Sequence, residues 1–269
     1  MEETYRSFFG LEKEPFMQDI GFDEILQTDE LLEVKHRFDY TLRIGGIGLV
    51  TGEIGSGKST ALRYAIGHLH PSEYQPFYVT ASTGSIMELY RQIVAEMGIG
   101  RSSNSKAQMT SLIRKEIVEL VEGKKLKAVL IVDEASLLRL EVFVELHTIC
   151  QFEKDSKPYL PLILAGQANL VDKIMYRSSA PLASRIIARA HMEGLTREGM
   201  QQYLLHHLNL AGIKKNLFDD PAVTAIHQGS GGLLRKANNL ARGALMAAAD
   251  EKSMMANAEH VRLAATEIF

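Results

Sequence analysis

Apolar positions recur along this chain with two periods, and the place where one of them gives out divides it. Within residues 28–42, Leu31, Val34, Phe38 and Leu42 lie at helical spacing, which predicts an amphipathic helix. Residues 47–50 form a short apolar run leading into a glycine-rich turn, and helical spacing resumes over 58–69. The alternation continues with a strand over 76–80, a helix over 85–97 and a polar loop over 98–106. A helix over 109–122, a strand over 128–132, a helix over 135–152 and a strand over 160–165 follow. Short, wholly apolar strands alternating with longer helices predict a parallel α/β sheet covered on both faces.

Past about Leu195 the strand pattern stops, and helices are expected over 197–211, 221–228, 233–249 and 258–268. The change falls near 191–196, giving an α/β domain over 1–193 and an all-helical domain over 194–269. Residues 5–22 are rich in aromatics and broken by Gly10, Pro15 and Gly21. They read as an irregular arm, residues 1–27, belonging to the α/β domain.

Composition narrows the picture further. The 269 residues are 46% hydrophobic and 23% charged, the balance of a globular protein with a sizeable core. A formal net charge of −3 excludes coating nucleic acid by bulk electrostatics, so any DNA contact must be a local patch. The one cysteine, Cys150, excludes an intrachain disulfide and a cysteine-built metal site, and fits a reducing cytoplasm. No apolar run approaches the ~18 residues needed to cross a bilayer. The acidic start (Glu2, Glu3, Glu12, Glu14) is unlike a signal peptide. A cytoplasmic protein without a membrane segment is expected.

The chemistry concentrates in Gly52-Glu53-Ile54-Gly55-Ser56-Gly57-Lys58-Ser59, which matches the P-loop pattern in full and sits between a predicted strand and helix. Gly52, Gly55, Ser56 and Gly57 would let backbone N–H groups curl around phosphates at a helix N-terminus, with Thr60 in its first turn. Lys58 would reach the β and γ phosphates of ATP, and Ser59 would bind Mg²⁺. A second element, Val129-Leu130-Ile131-Val132-Asp133-Glu134, is an apolar strand ending in two carboxylates. There Asp133 would hold the metal and Glu134 would orient the attacking water. Either motif alone matches by chance often enough to mislead; in order and in strand context they point to an ATP site.

Three further positions refine it. Gln167, after the strand over 160–165, would lie between the P-loop and the Asp133 strand and sense the γ-phosphate. Arg185, with Arg189 as the alternative, falls near the end of the α/β domain, where it could serve a neighbour's nucleotide as an arginine finger. Arg235, at the start of a helix in the tail, would contact the nucleotide if the tail forms a lid.

Taken together, Phe8-Phe9-Gly10-Leu11, Pro15-Phe16, the P-loop, Ile131-Val132-Asp133-Glu134-Ala135, Phe152, Gly166-Gln167, Leu182-Ala183-Ser184-Arg185-Ile186 and Gly232-Leu233-Leu234-Arg235 resemble the ExeA/GspA-like AAA+ ATPases, over essentially the whole chain. The resemblance implies a P-loop AAA+ fold with a parallel sheet between helices and a C-terminal all-helical lid. It also implies ATP hydrolysis and a homo-oligomer with shared active sites. Within that group, Pro15-Phe16-Met17-Gln18-Asp19-Ile20 and Gly48-Leu49-Val50-Thr51-Gly52-Glu53 look most like the stand-alone members encoded beside DDE transposases, similar in role to the Mu B, TnsC and IstB regulators. The larger secretion-type members carry a membrane segment and a cell-wall-binding domain after the ATPase, and neither follows in this sequence. The expected partners are therefore double-stranded DNA and a transposase. The alternatives are an assembly factor for a secretion or envelope machine and a nucleotide switch with negligible turnover. Lys124-Lys125-Leu126-Lys127, Lys214-Lys215 and His206-His207 read as structural features, as do Arg101 and Lys106 in their polar loop.

Overall fold

The computed structural model describes residues 5–100 and 103–268 of the chain; Arg101 lies outside the described residues. In chain order the first elements are α1 (Tyr5–Phe9), α2 (Asp29–Ile44), β1 (Ile47–Gly52), α3 (Lys58–Gly67), β2 (Tyr74–Thr80) and α4 (Ile86–Glu96). Next come α5 (Lys106–Val118), β3 (Lys127–Asp133), α6 (Leu140–Ile149), β4 (Leu162–Gly166), α7 (Asn169–Met175), α8 (Ala180–Ala183) and β5 (Ile186–Met192). Then α9 (Arg197–Leu210), α10 (Asp220–Ser230), α11 (Leu234–Asp250) and α12 (Ala258–Ile268) complete the chain.

Two compact units emerge. One comprises Asp29–Gly52 and Lys58–Met192; the other comprises the described residues of Met1–Thr28, Glu53–Gly57 and Glu193–Phe269. In the first unit five strands form one sheet in the order β2-β3-β4-β1-β5, with every neighbouring pair parallel. Parallel strands need crossovers, which the intervening helices supply. The central strands β1 and β4 are buried at every position and β3 at all but its first, as their continuous apolar runs require. Their core includes Val132, Leu164, Tyr90, Ile93, Ile113, Ile117, Phe143 and Leu146.

The edge strand β5 differs from the expectation, which placed no strand there. Ala188, Ala190 and Met192 are buried while Ile187, Arg189 and His191 alternate outward. An edge strand covered on one face carries this half-polar pattern, and the small buried alanines hide the apolar stripe. The single helix expected over 135–152 is also broken. Glu134 takes a left-handed conformation, a 3-10 turn spans Ala135–Leu137, and the helix begins only at Leu140. Leu138 is extended and 1% exposed, so its burial takes precedence over helical continuity.

In the second unit α9 is capped by Thr196, whose hydroxyl accepts from the Gly199 N–H at 3.1 Å. Asp219 caps α10 in the same way, with Pro221 in its first turn and left-handed Gly231 at its end, the usual start and stop chemistry. The arm belongs to this unit and not to the α/β domain as expected. Phe9, Leu11 and Phe16 are buried in one cluster with Met200, Leu204, Leu208, Phe218 and Leu240. Phe16 stacks on His207, and the Arg242 guanidinium donates to the Phe16 carbonyl at 3.0 Å. Aromatic side chains need apolar cover, and the tail helices provide it. Among the described residues no helix is long and apolar enough to cross a membrane.

Candidate functional site

The C-terminal ends of β1 and β3 carry the two motifs, and β4 lies between these strands. In the sheet unit, Lys58 opens α3 and is 6% exposed, with Nζ donating to the Gly52 carbonyl at 3.0 Å. Burying an ammonium group is costly without acceptors, so this lysine is held where anionic oxygens would be welcome. One residue on, the Ser59 hydroxyl donates to Asp133 Oδ2 at 2.8 Å. Asp133 is 4% exposed, and its Oδ1 accepts the Glu134 N–H at 2.8 Å. A hydroxyl and a carboxylate side by side are the donor types that Mg²⁺ takes, with phosphate oxygens and water able to complete its shell. The residues present fit that ion.

The Tyr78 hydroxyl also donates to Asp133 Oδ2. Burial, and then the carboxylate beside it, push this phenol well above its ordinary range, so it stays a donor. Nothing in the sequence pattern had singled Tyr78 out. Lys173 on α7 was also missed; its Nζ donates to the Ser136 and Leu138 carbonyls at 2.6 and 2.8 Å. It thereby clamps the 3-10 turn that follows Glu134. Glu134 is partly exposed with φ 54°, so its carboxylate stands on a tight, pinned turn next to Asp133. Gln167, partly exposed, follows directly on β4, and its carbonyl accepts the Leu170 N–H at 2.9 Å as α7 begins.

The turn between Gly52 and Lys58 belongs to the helical unit. Ser56 donates its N–H to the Glu53 carbonyl at 3.1 Å, while its hydroxyl is buried with no hydrogen-bond partner among the described residues. A buried orphan hydroxyl is costly, and a phosphate oxygen would relieve it. Gly55 has φ +84°, and a Cβ there would stand 2.8 Å from Arg235 Cβ. Only glycine suits both demands. The Arg235 N–H donates to the Gly55 carbonyl at 3.2 Å, and its side chain is exposed. The first turn of α11 therefore meets the glycine-rich turn, within one unit.

Arg185 lies elsewhere. Its carbonyl accepts the Ile47 N–H at the start of β1, and Ile186 pairs with Ile47, so it stands at the end of the sheet opposite Asp133. Its guanidinium donates to the Pro181 carbonyl at 2.7 Å and pairs with Asp155. Arg189 is exposed on the outer face of β5. Thr60 follows Ser59 in α3, partly exposed. Of the residues read as structural, Lys106 pairs with Glu145 and Lys127 lies over the Tyr74 ring. His207 is buried between Phe16 and Tyr203.

The AAA domain family model matches residues 43–174. The general secretion pathway protein A of Aeromonas hydrophila is 30% identical over 267 residues, covering 98% of this chain and 48% of that protein. The chain thus spans about half the length of that curated relative. Among solved structures, Cdc6p from Pyrobaculum aerophilum is similar at a TM-score of 0.70 with 16% identity, over 98% of this chain and 71% of that one. The Aeropyrum pernix ORC1 protein in complex with DNA is similar at 0.67 with 18% identity, over 94% of this chain and 68% of that one. At these identities the likeness is one of fold.

Proposed function

We propose that this chain, whose residues 43–174 match the AAA domain family, is a P-loop ATPase that binds ATP with Mg²⁺, hydrolyses it in an oligomer with shared active sites, assembles on double-stranded DNA and regulates a partner DDE transposase. The observation carrying the ATP reading is the 2.8 Å hydrogen bond from Ser59 to Asp133, which pairs the first turn of α3 with the end of β3.

Backbone N–H groups of Gly52, Gly55, Ser56 and Gly57 cradle the phosphates, and the N-terminus of α3, with Thr60 in its first turn, adds its dipole. Lys58 exchanges the Gly52 carbonyl for the β and γ phosphate oxygens. Ser59 and Asp133 would hold Mg²⁺, which would supply further positive charge to those oxygens. Glu134 accepts a proton from the water whose oxygen attacks the γ phosphorus, as the bond to the bridging oxygen breaks and ADP leaves. Gln167 and Arg235 report the nucleotide state from the same subunit. Arg185, engaged in its own subunit with Pro181 and Asp155, completes the site of a neighbour.

The DNA and transposase roles rest on the resemblance of Pro15 to Ile20 and Gly48 to Glu53 to ATPases encoded beside transposases. The fold shared with an ORC1 protein solved in complex with DNA supports the DNA role alone. A second reading has its own observation: 30% identity with general secretion pathway protein A over 98% of the chain favours an assembly factor of a secretion or envelope system acting on a protein partner. The test is Mg²⁺-dependent phosphate release with and without double-stranded DNA, across protein concentration. Stimulation by DNA with a steep concentration dependence supports the first reading. A rate indifferent to DNA moves the function to a protein partner, and no release at all sinks both.

A further inference from the structure

The Asp133 carboxylate is held by three donors, and one of them comes from the neighbouring strand. β2 and β3 run parallel with Tyr78 opposite Ile131 and Thr80 opposite Asp133. Side chains alternate along a strand, so Ile131 and Asp133 share a face, and Tyr78 is the diagonal neighbour of Asp133, within reach of a long side chain. Phe77 and Val79 point to the opposite face, 4% and 5% exposed, which pins the register. The Tyr78 hydroxyl meets Asp133 Oδ2, the same oxygen that takes the Ser59 hydroxyl, while the Glu134 N–H takes Oδ1.

One of these donors takes on a second task once the site is loaded. On the Mg²⁺–ATP reading above, on which this inference rests, the Ser59 oxygen offers a lone pair to the cation while its O–H stays available to Asp133, so the ion shares in setting its position. The Tyr78 hydroxyl and the Glu134 N–H act on the carboxylate alone. We infer that Tyr78 is a positioning residue for the metal-binding carboxylate: its hydroxyl fixes the rotation of Asp133 so that an oxygen faces Ser59. Partners of this kind to a ligating group change metal affinity by about 10–100-fold when removed.

Tyr78→Phe keeps the ring and deletes the donor. Binding of a fluorescent ADP is measured on the full chain in EDTA and across a Mg²⁺ titration, with melting of the ligand-free protein alongside. The expected result is affinity in EDTA within about twofold of wild type and a Mg²⁺ midpoint raised about 10-fold. Phe77→Leu, which thins the core on the opposite face of the same strand, is the structural control: it lowers the melting temperature and leaves the midpoint in place. A midpoint for Tyr78→Phe within about twofold of wild type overturns the inference. An equal loss with and without Mg²⁺ also overturns it, making Tyr78 a wall of the nucleotide pocket. If wild type binds no better with Mg²⁺ than in EDTA, the Mg²⁺ reading itself has failed and takes this inference with it.

Discussion

Gly231 and Gly232 sit side by side between α10 and α11, and alanine at each should cost very different amounts. Both have positive φ, +61° and +78°, so each substitution carries a left-handed alanine, roughly 1–2 kcal/mol. At Gly231 the added Cβ meets nothing within 4 Å. At Gly232 it would stand 2.5 Å from the Leu195 carbonyl oxygen and 3.0 Å from the Leu195 nitrogen, backbone atoms that cannot rotate away. Relief requires these segments to part. Parting them loosens the Leu195 N–H to Gly232 carbonyl bond at 2.9 Å and the His227 contact to the Leu195 carbonyl at 3.0 Å. Two hydrogen bonds at ~1 kcal/mol each bring the Gly232→Ala cost to about 3–4 kcal/mol, the same conformational term included. At about 2–4 °C per kcal/mol, melting followed by circular dichroism should fall a few degrees for Gly231→Ala and about 10 °C for Gly232→Ala. ATP hydrolysis should drop further in Gly232→Ala, because Arg235 begins the next turn. Equal melting temperatures for the two variants would refute the clash argument.

Three other outcomes are expected. Glu134→Gln should lower phosphate release by at least about 100-fold, the low end of general-base catalysis, while leaving nucleotide-bound assemblies intact; a rate near wild type would remove Glu134 from the mechanism. Mixing Arg185→Ala subunits with Lys58→Ala subunits should restore part of the hydrolysis that each lacks alone, and a mixture no more active than its parts would rule out Arg185 acting across an interface. Burial, and then the neighbouring His206, push His207 down to about 4. The unfolded chain takes up that proton near pH 6.5, so stability is fully present above 6.5 and is lost as pH falls toward 4, by roughly 3 kcal/mol. The melting temperature should fall steeply from pH 7 to pH 4.5, and His207→Asn should flatten the slope; an unchanged slope would assign the acid sensitivity elsewhere.

What could be read from sequence was set by how local the cause is. The strands β1, β3 and β4 announced themselves because burial on both faces demands continuous apolar runs. The edge strand β5 did not, since half its positions face outward and the buried ones are mostly alanines. Lys58, Ser59 and Asp133 could be read as candidates because each belongs to a local pattern, a glycine-rich turn or the acidic end of an apolar strand. Tyr78 was not, because no local pattern marks it and only the register of two strands brings it to Asp133. The break after Glu134 carried no glycine or proline to mark it, and the arm's partners lie in the tail.

That last feature sets a timetable for synthesis. Residues 29–192 can complete their sheet as they emerge, whereas Phe9, Leu11 and Phe16 belong to a cluster whose other members begin at Met200. At ~5–20 residues per second, the arm carries uncovered aromatics for roughly ten seconds or more before its destination exists. Chaperone capture of the arm during that interval is a foreseeable cost of closing one unit from segments far apart in sequence. A truncation beginning at Asp29, chosen to trim an irregular leader, would take three side chains out of the helical core and leave its apolar floor open to water.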